Sequence, residues 1–205
     1  MTRTVFEPSI PSRPVYGTLE PRPGLSHLMV ADGEGAEAIL DCLARAPDAP
    51  AMLAHTHVVY CPGPNGTDLS DRLSALGAAQ FHHAPSFAAA LPRLRKVLAD
   101  AHMGTQLYLA GTEGLIGQVL REAMEAGLPH TGVQAEHRGS TVRRVQCVHC
   151  KGITEAVRTD PFQCAHCGLW LFVRDHYSRR IAAFMGVNID AEDPGQVPPP
   201  VARFA

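Results

Sequence analysis

His27-Leu28-Met29-Val30-Ala31-Asp32-Gly33-Glu34-Gly35-Ala36-Glu37-Ala38-Ile39-Leu40 reads as a strand, a turn and the start of a helix. HLMVAD is a short apolar run, Gly33-Glu34-Gly35 can turn tightly, and in AEAILDCLARA the residues Ile39, Leu40 and Leu43 share one helical face. A strand that feeds a helix through a glycine turn is a βα unit, and the unit recurs outward from this one. THVVYCPG (Thr56 to Gly63) is a second strand, PNGTD a turn and cap, LSDRLSALG a helix, and QFHHA a further strand. SFAAALPRLRKVLADA predicts a helix from Phe87 to Ala101 that tolerates Pro92 near its start, and TQLYLAG a buried strand running into Thr112. EGLIGQVLREAMEAG is an amphipathic helix closed by Gly127 and Pro129, and TGVQAEHRG a last strand. Strands alternating with helices predict an α/β fold, a parallel sheet with helices on both faces.

On either side of that domain the texture changes. Residues 1–24 hold Pro8, Pro11, Pro14, Pro21 and Pro23, which fix φ and remove backbone donors, so an extended arm lying on another surface is expected. The α/β domain takes 25–139, with the boundary near Gly139; 140–187 is a small Cys-rich module, and 188–205 an acidic, proline-rich tail. The whole chain of 205 residues is 45% hydrophobic and 19% charged, a globular composition. A net charge of −2 offers no basic surplus for a phosphate backbone, which argues against nucleic acid. No apolar stretch serves as a signal core or membrane span, so a cytoplasmic protein with reduced thiols is expected.

Reduced thiols turn the six cysteines into a question of spacing. Cys147-Val-His-Cys150 and Cys164-Ala-His-Cys167 are two C-x-x-C hooks thirteen residues apart, the spacing of a four-Cys zinc ribbon. Each hook aims two thiolates at one ion, and the glycines that follow, Gly152 and Gly168, let backbone N–H groups approach the sulfurs. The module looks too poor in apolar residues to fold by burial, so metal binding would supply folding energy. Zinc is the first reading; a mononuclear iron centre or, less naturally, an iron–sulfur cluster held by the same four thiolates is the alternative. His149 and His166 inside the hooks read as solvated surface residues, and Cys42 and Cys61, in a helix and a strand, as small buried hydrophobes. The pairs His82-His83 and His55-x-His57 read as loop or edge residues rather than ligands. No Ser-His-Asp order or paired-carboxylate motif appears, so no catalytic residue is assigned.

At the first turn, Gly33 and Gly35 stand where a dinucleotide pyrophosphate could meet backbone N–H groups, and Gly111 and Gly114 flank the corresponding later turn. Glu34 places a negative charge where that anion would sit, and G-x-G-x-x-G is incomplete, so a plain turn ranks ahead of nucleotide binding.

HLMVADGEGAEAIL, VVYCPGP and QLYLAGTEGLIGQVLREAMEAGLP, in that order, resemble the nicotinamide-nucleotide domain of ferredoxin-reductase-like oxygenase reductases over residues 26 to about 138. Gly111, Gly114, Leu115 and Ile116 match that family's last block, with Ala110 in place of its cysteine. Its Gly-Gly-x-Gly turn is reduced to Gly33 and Gly35, with Asp32 intruding. A proline-rich arm stands where the flavin barrel would precede, and a nicotinamide without a flavin has nothing to reduce, so the chain alone is not expected to be a reductase.

A second likeness lies in Asp160-Pro161-Phe162, the Cys164 hook, and Val173-Arg174-Asp175-His176-Tyr177-Ser178-Arg179-Arg180 through Ala183-Phe184-Met185-Gly186-Val187. Together with the α/β domain these make nearly the whole chain similar to the small subunit of bacterial dimethylamine monooxygenase, the DmmA family. That resemblance implies a multi-subunit, NADPH- and O2-dependent oxidoreductase that converts dimethylamine to methylamine and formaldehyde, with flavin, iron–sulfur cluster and haem on partner subunits. Interleaved arginines and aromatics are typical interface anchors, so Arg174, Tyr177, Arg179, Arg180 and Phe184 are the candidate docking residues.

Overall fold

The computed structural model describes residues 14–204; the expected arm lies partly outside them. Five parallel strands, β1 (Ser26–Asp32), β2 (Thr56–Cys61), β3 (Gln80–His83), β4 (Thr105–Gly111) and β5 (Val133–His137), form one sheet in the order β3-β2-β1-β4-β5. The register sets Val30 beside Val59 and Leu109, and Met29 beside Val58 and Tyr108. Alternate residues therefore go to opposite faces, and both faces are covered. Leu28, Val30, Val59, Leu107 and Leu109 pack under α4 (Phe87–Ala99) and α5 (Glu113–Glu125). Met29, Ala31, Val58, Tyr60 and Tyr108 pack under α1 (Gly35–Ala44), with Met52 of α2 (Ala49–Leu53) and Leu73 of α3 (Ser70–Ser74). Each fully buried Leu or Val contributes about 1.5–3 kcal/mol, against helix-propensity differences of at most ~0.7 kcal/mol per residue, so the two-sided apolar strands dictate this layering. The parallel α/β fold read from the sequence is present. The second helix is a single turn and a half, and α2 was not foreseen; Asp48 caps it by accepting the Ala51 N–H at 2.9 Å, and Pro50 pre-sets its first turn.

Residues 14–24 lie along the β5 edge. The Gly17 N–H donates to Ala135 O at 3.0 Å, the Leu19 N–H to Glu136 Oε2 at 2.7 Å and the Glu20 N–H to Gln134 Oε1 at 2.9 Å, while the Leu19 side chain is fully buried. An exposed parallel edge is thereby blunted without a sixth strand.

The C-terminal half is a second sheet, β7 (Ile153–Val157), β6 (Arg143–Cys147), β11 (Ala183–Asn188), β10 (Trp170–Ser178) and β9 (Phe162–Gln163), in that spatial order. All neighbours are antiparallel except β6 and β11, and Trp170 at the start of β10 faces Gln163 across the β9 pairing. Its core is richer than the sequence suggested: Val145, Val157, Phe162, Leu171, Val173, Tyr177, Phe184 and Phe204 are all buried. Residues 189–200 carry no helix or strand; β12 (Val201–Ala202) then pairs with β8 (Thr159–Asp160), and Phe204 is tucked inside. The two halves touch where the Tyr177 hydroxyl lies against Gly117 of α5, so close that a Cβ there would fall 2.0 Å from it. A second tie is Arg158 Nη2 donating to Asn65 Oδ1 at 2.7 Å.

Candidate metal centre and the carboxyl edge of the sheet

Cys147 ends β6 and Cys150 lies in the turn to β7; Cys164 and Cys167 lie in the turn from β9 to β10. Each hook has the same hydrogen-bond frame. The Lys151 N–H donates to Cys147 O at 3.0 Å and the Cys147 N–H to Gly152 O at 2.9 Å; the Gly168 N–H donates to Cys164 O at 3.0 Å and the Cys164 N–H to Leu169 O at 2.9 Å. The fourth residue after each first cysteine takes positive φ, +74° at Gly168 but +63° at Lys151. In the first hook it is therefore the lysine, not Gly152, that adopts the left-handed conformation. Gly152 instead admits the His166 ring, 2.5 Å from where its Cβ would stand.

The four sulfurs lie within 4.8 Å of one another, with Cys147–Cys167 at 3.8 Å and Cys150–Cys164 at 3.7 Å. That is far beyond a disulfide bond of about 2.05 Å, yet a tetrahedron with Zn–S arms of about 2.3 Å has edges of about 3.8 Å. Burial opposes ionisation of Cys164, but the N–H groups of Cys167 and His166 and the adjacent thiols bring it down to about 6. At Cys167 the Leu169 N–H draws the thiol down, whereas burial and the sulfurs of Cys164, Cys150 and Cys147 push it up to about 12. Four thiols this close share their protons until a cation lets all of them ionise, so the donor set fits a divalent metal. His149 and His166 are exposed, and the His166 ring nitrogen lies 2.8 Å from Ile153 O. Among the described residues no other group of three or more His, Cys, Asp or Glu could hold a metal. Cys42 and Cys61 are buried, and burial pushes their thiols up to about 11 and about 12, as inert core residues require.

The glycine candidates gather at the carboxyl ends of β1 and β4, the point where strand order reverses and where nucleotides bind in open α/β sheets. Protein atoms fill the space at three of them. A Cβ would lie 2.8 Å from Gly63 Cα at Gly33, 2.3 Å from Ala110 O at Gly35, and 1.9 Å from Asp32 Oδ1 at Gly111; at Gly114 it would meet only Thr112 Oγ1, at 3.9 Å. Two residues not singled out as a pair complete this edge. Asp32 Oδ1 accepts the Thr112 N–H at 2.7 Å, Asp32 Oδ2 accepts the Thr112 hydroxyl at 2.6 Å, and Thr112 Oγ1 in turn caps α5 by accepting the Leu115 N–H at 3.2 Å. Burial pushes the Asp32 carboxyl up, against the donations from Thr112 and the nearby His137. Over this edge β6 and β7 roof a crevice of about 500 Å³ whose walls include Asp32, Gly114, Gln118, Arg143 and Glu155.

The docking candidates divide. Arg174, Arg179 and Arg180 are exposed, but Tyr177 and Phe184 are buried, their rings edge to face at 5.0 Å. Their aromatic surface is spent on the core of the second sheet, so they are corrected from docking residues to packing residues. Arg143, which carried no sequence signal, lies between two rings, 4.0 Å from the Phe184 centroid and 4.4 Å from that of Phe204. Its Nη1 is 2.8 Å from Asp175 Oδ1.

Fold and site thus define a class, a nucleotide-type α/β domain joined to a four-thiolate ribbon. Residues 8–133 match the N-terminal domain, and residues 144–187 the C-terminal domain, of the dimethylamine monooxygenase subunit DmmA-like proteins, and the chain belongs to this family. It is 33% identical over 149 residues to the heme-dependent oxidative N-demethylase delta subunit of Ectopseudomonas mendocina (strain ymp), a match covering 70% of this chain and 85% of that one. Among solved structures it is similar to phthalate dioxygenase reductase, at 19% identity and a TM-score of 0.46, covering 69% of this chain and 46% of that one. It is also similar to an intact type IV self-sufficient cytochrome P450 monooxygenase, at 21% identity and a TM-score of 0.41, covering 67% and 19%. The chain spans less than half of either structure. No helix among the described residues is long and apolar enough to cross a membrane.

Proposed function

We propose that this chain is a subunit of a multi-subunit, NADPH- and O2-dependent monooxygenase that oxidatively demethylates dimethylamine to methylamine and formaldehyde. The observation that carries this reading is the match of both halves of the chain to one subunit family, together with the relative at 33% identity. Flavin, iron–sulfur cluster and haem reside on the partner subunits in this reading, and the present chain scaffolds them without supplying a catalytic residue. Cys147, Cys150, Cys164 and Cys167 hold zinc, which supplies no redox chemistry and ties the two hairpins into one rigid ribbon. Arg174, Arg179 and Arg180, exposed along and just beyond β10, face the partners.

Affinity capture of the chain from its native cells tests the assignment. Co-elution of a haem subunit and a flavoprotein in fixed ratio, with dimethylamine-dependent NADPH oxidation, is expected; a solitary chain under the same capture sinks it. The same thiolate geometry accommodates iron, which would make the chain an electron carrier. Elemental analysis decides: one zinc in a colourless chain is expected, whereas iron with a visible band bleached by dithionite replaces the scaffold by the carrier.

A further inference from the structure

We infer that Asp32 is a built-in anion that occupies the dinucleotide-phosphate position of this fold, so that the chain holds no nicotinamide nucleotide at the carboxyl edge of its own sheet. At that edge an open α/β domain offers a phosphate two things, backbone approach over glycines and the amino end of a helix. Here both are used by the protein. The amino end of α5 donates its Thr112 N–H and the Thr112 hydroxyl to the two Asp32 oxygens, and Asp32 is 8% exposed. Gly33, Gly35 and Gly111 admit Gly63, Ala110 and Asp32 rather than a ligand.

The two arginines that line the crevice are both engaged by the protein. Arg143 is held between Phe184 and Phe204 and paired with Asp175, and Arg144 donates to Glu155 at 2.8 Å and to Ile181 O at 2.7 Å. Arg138, beside the turn, donates to Glu136 at 2.7 Å and Asp41 at 3.1 Å. Magnitudes decide the balance. A helix amino end stabilises an anion only weakly, whereas a second negative charge brought within a few ångströms of Asp32 is repelled more strongly than that. A pyrophosphate brought against Asp32 meets net repulsion.

The occupancy of this position stands on the geometry alone. Its consequence for the demethylase complex, that NADPH binds on another subunit, rests on the proposed function. The test uses the full-length chain labelled with nitrogen-15 and titrated with inorganic pyrophosphate and, separately, with NADPH. In the unaltered chain the amide signals of Thr112, Glu113 and Gly114 are expected to stay fixed through the millimolar range with either probe. In Asp32→Gly they are expected to shift with pyrophosphate, at an affinity at least about tenfold tighter than any response of the parent, equivalent to about 1.4 kcal/mol. Asp32→Asn, which keeps the shape and one acceptor oxygen but loses the charge, is expected to show an intermediate response, and it serves if the glycine variant does not fold. Saturable shifts at these amides in the unaltered chain overturn the inference, and so does a folded Asp32 variant as indifferent to pyrophosphate as the parent. A chain found outside any demethylase complex would remove the proposed function and leave this titration unaffected.

Discussion

His57 shows how a single side chain can tie stability to pH. It lies on β2 between Leu28 and Gln80, 8% exposed, and its Nε2 has no hydrogen-bond partner among the described residues. Burial, then the charges of Arg93 and His82, push its pKa down to about 4 from an ordinary 6.5. Below pH 6.5 the unfolded chain takes up a proton that the folded one refuses, so the stabilisation is complete above pH 6.5 and drains as pH falls towards 4. The loss over that window is expected to be roughly 2–3 kcal/mol, read as the difference between urea unfolding at neutral and at acid pH. His57→Leu should flatten that part of the profile; an unchanged slope would show that His57 is not the titrating group. The sequence placed His57 on a strand but could not price its burial, because nothing in a linear pattern reports that Arg93 arrives from α4. The glycines teach the same lesson. Their spacing announced a tight turn at Gly33 to Gly35, whereas their purpose, admitting Gly63 and Ala110, is a property of chains remote in sequence.

Elements were legible in proportion to how local their signal is. β1, β2 and β4 are buried on both faces and read as continuous apolar runs, and α4 and α5 carry helical spacing over thirteen residues each with Ser86 and Thr112 as caps. The second sheet left little trace. β8 and β9 have two residues each, and the parallel pairing of β6 with β11 joins strands far apart in sequence, which no periodicity records. That sheet depends on Arg143 and the rings around it. A cation over a desolvated ring contributes up to about 2 kcal/mol, and removing a buried Phe side chain costs about 3–5 kcal/mol. Phe204→Ala should therefore lower unfolding stability by about 3 kcal/mol or more, while Phe204→Leu, which keeps apolar volume and loses the ring, should lose about half as much. Equal losses in the two variants, measured by thermal melts, would show that the ring contributes volume alone.

At the scale of the molecule, two sheets with separate buried clusters meet at Gly117 and Tyr177, and the four-cysteine group belongs to one of them. In the proposed zinc-bound chain, chelation would leave four thiols within 4.8 Å of one another with no cation to hold the two hooks together. Hydrogen exchange after chelation should accelerate more than about a hundredfold at β6, β7, β9 and β10, equivalent to roughly 3 kcal/mol, with β1, β2 and β4 retaining their protection. Loss of protection throughout the parallel sheet would mean that the halves fold as one unit. The hooks were legible because metal chemistry fixes ligand type and spacing within a few residues. The Asp32–Thr112 closure was not, because its partners stand eighty residues apart.

The chain has one tryptophan, Trp170, three residues beyond Cys167 and paired with Gln163. Its emission therefore belongs wholly to the thiolate half. Excited beyond the absorption of tyrosine, Trp170 can follow ion arrival and departure in the unlabelled chain while Tyr60 and Tyr108 of the parallel sheet stay silent.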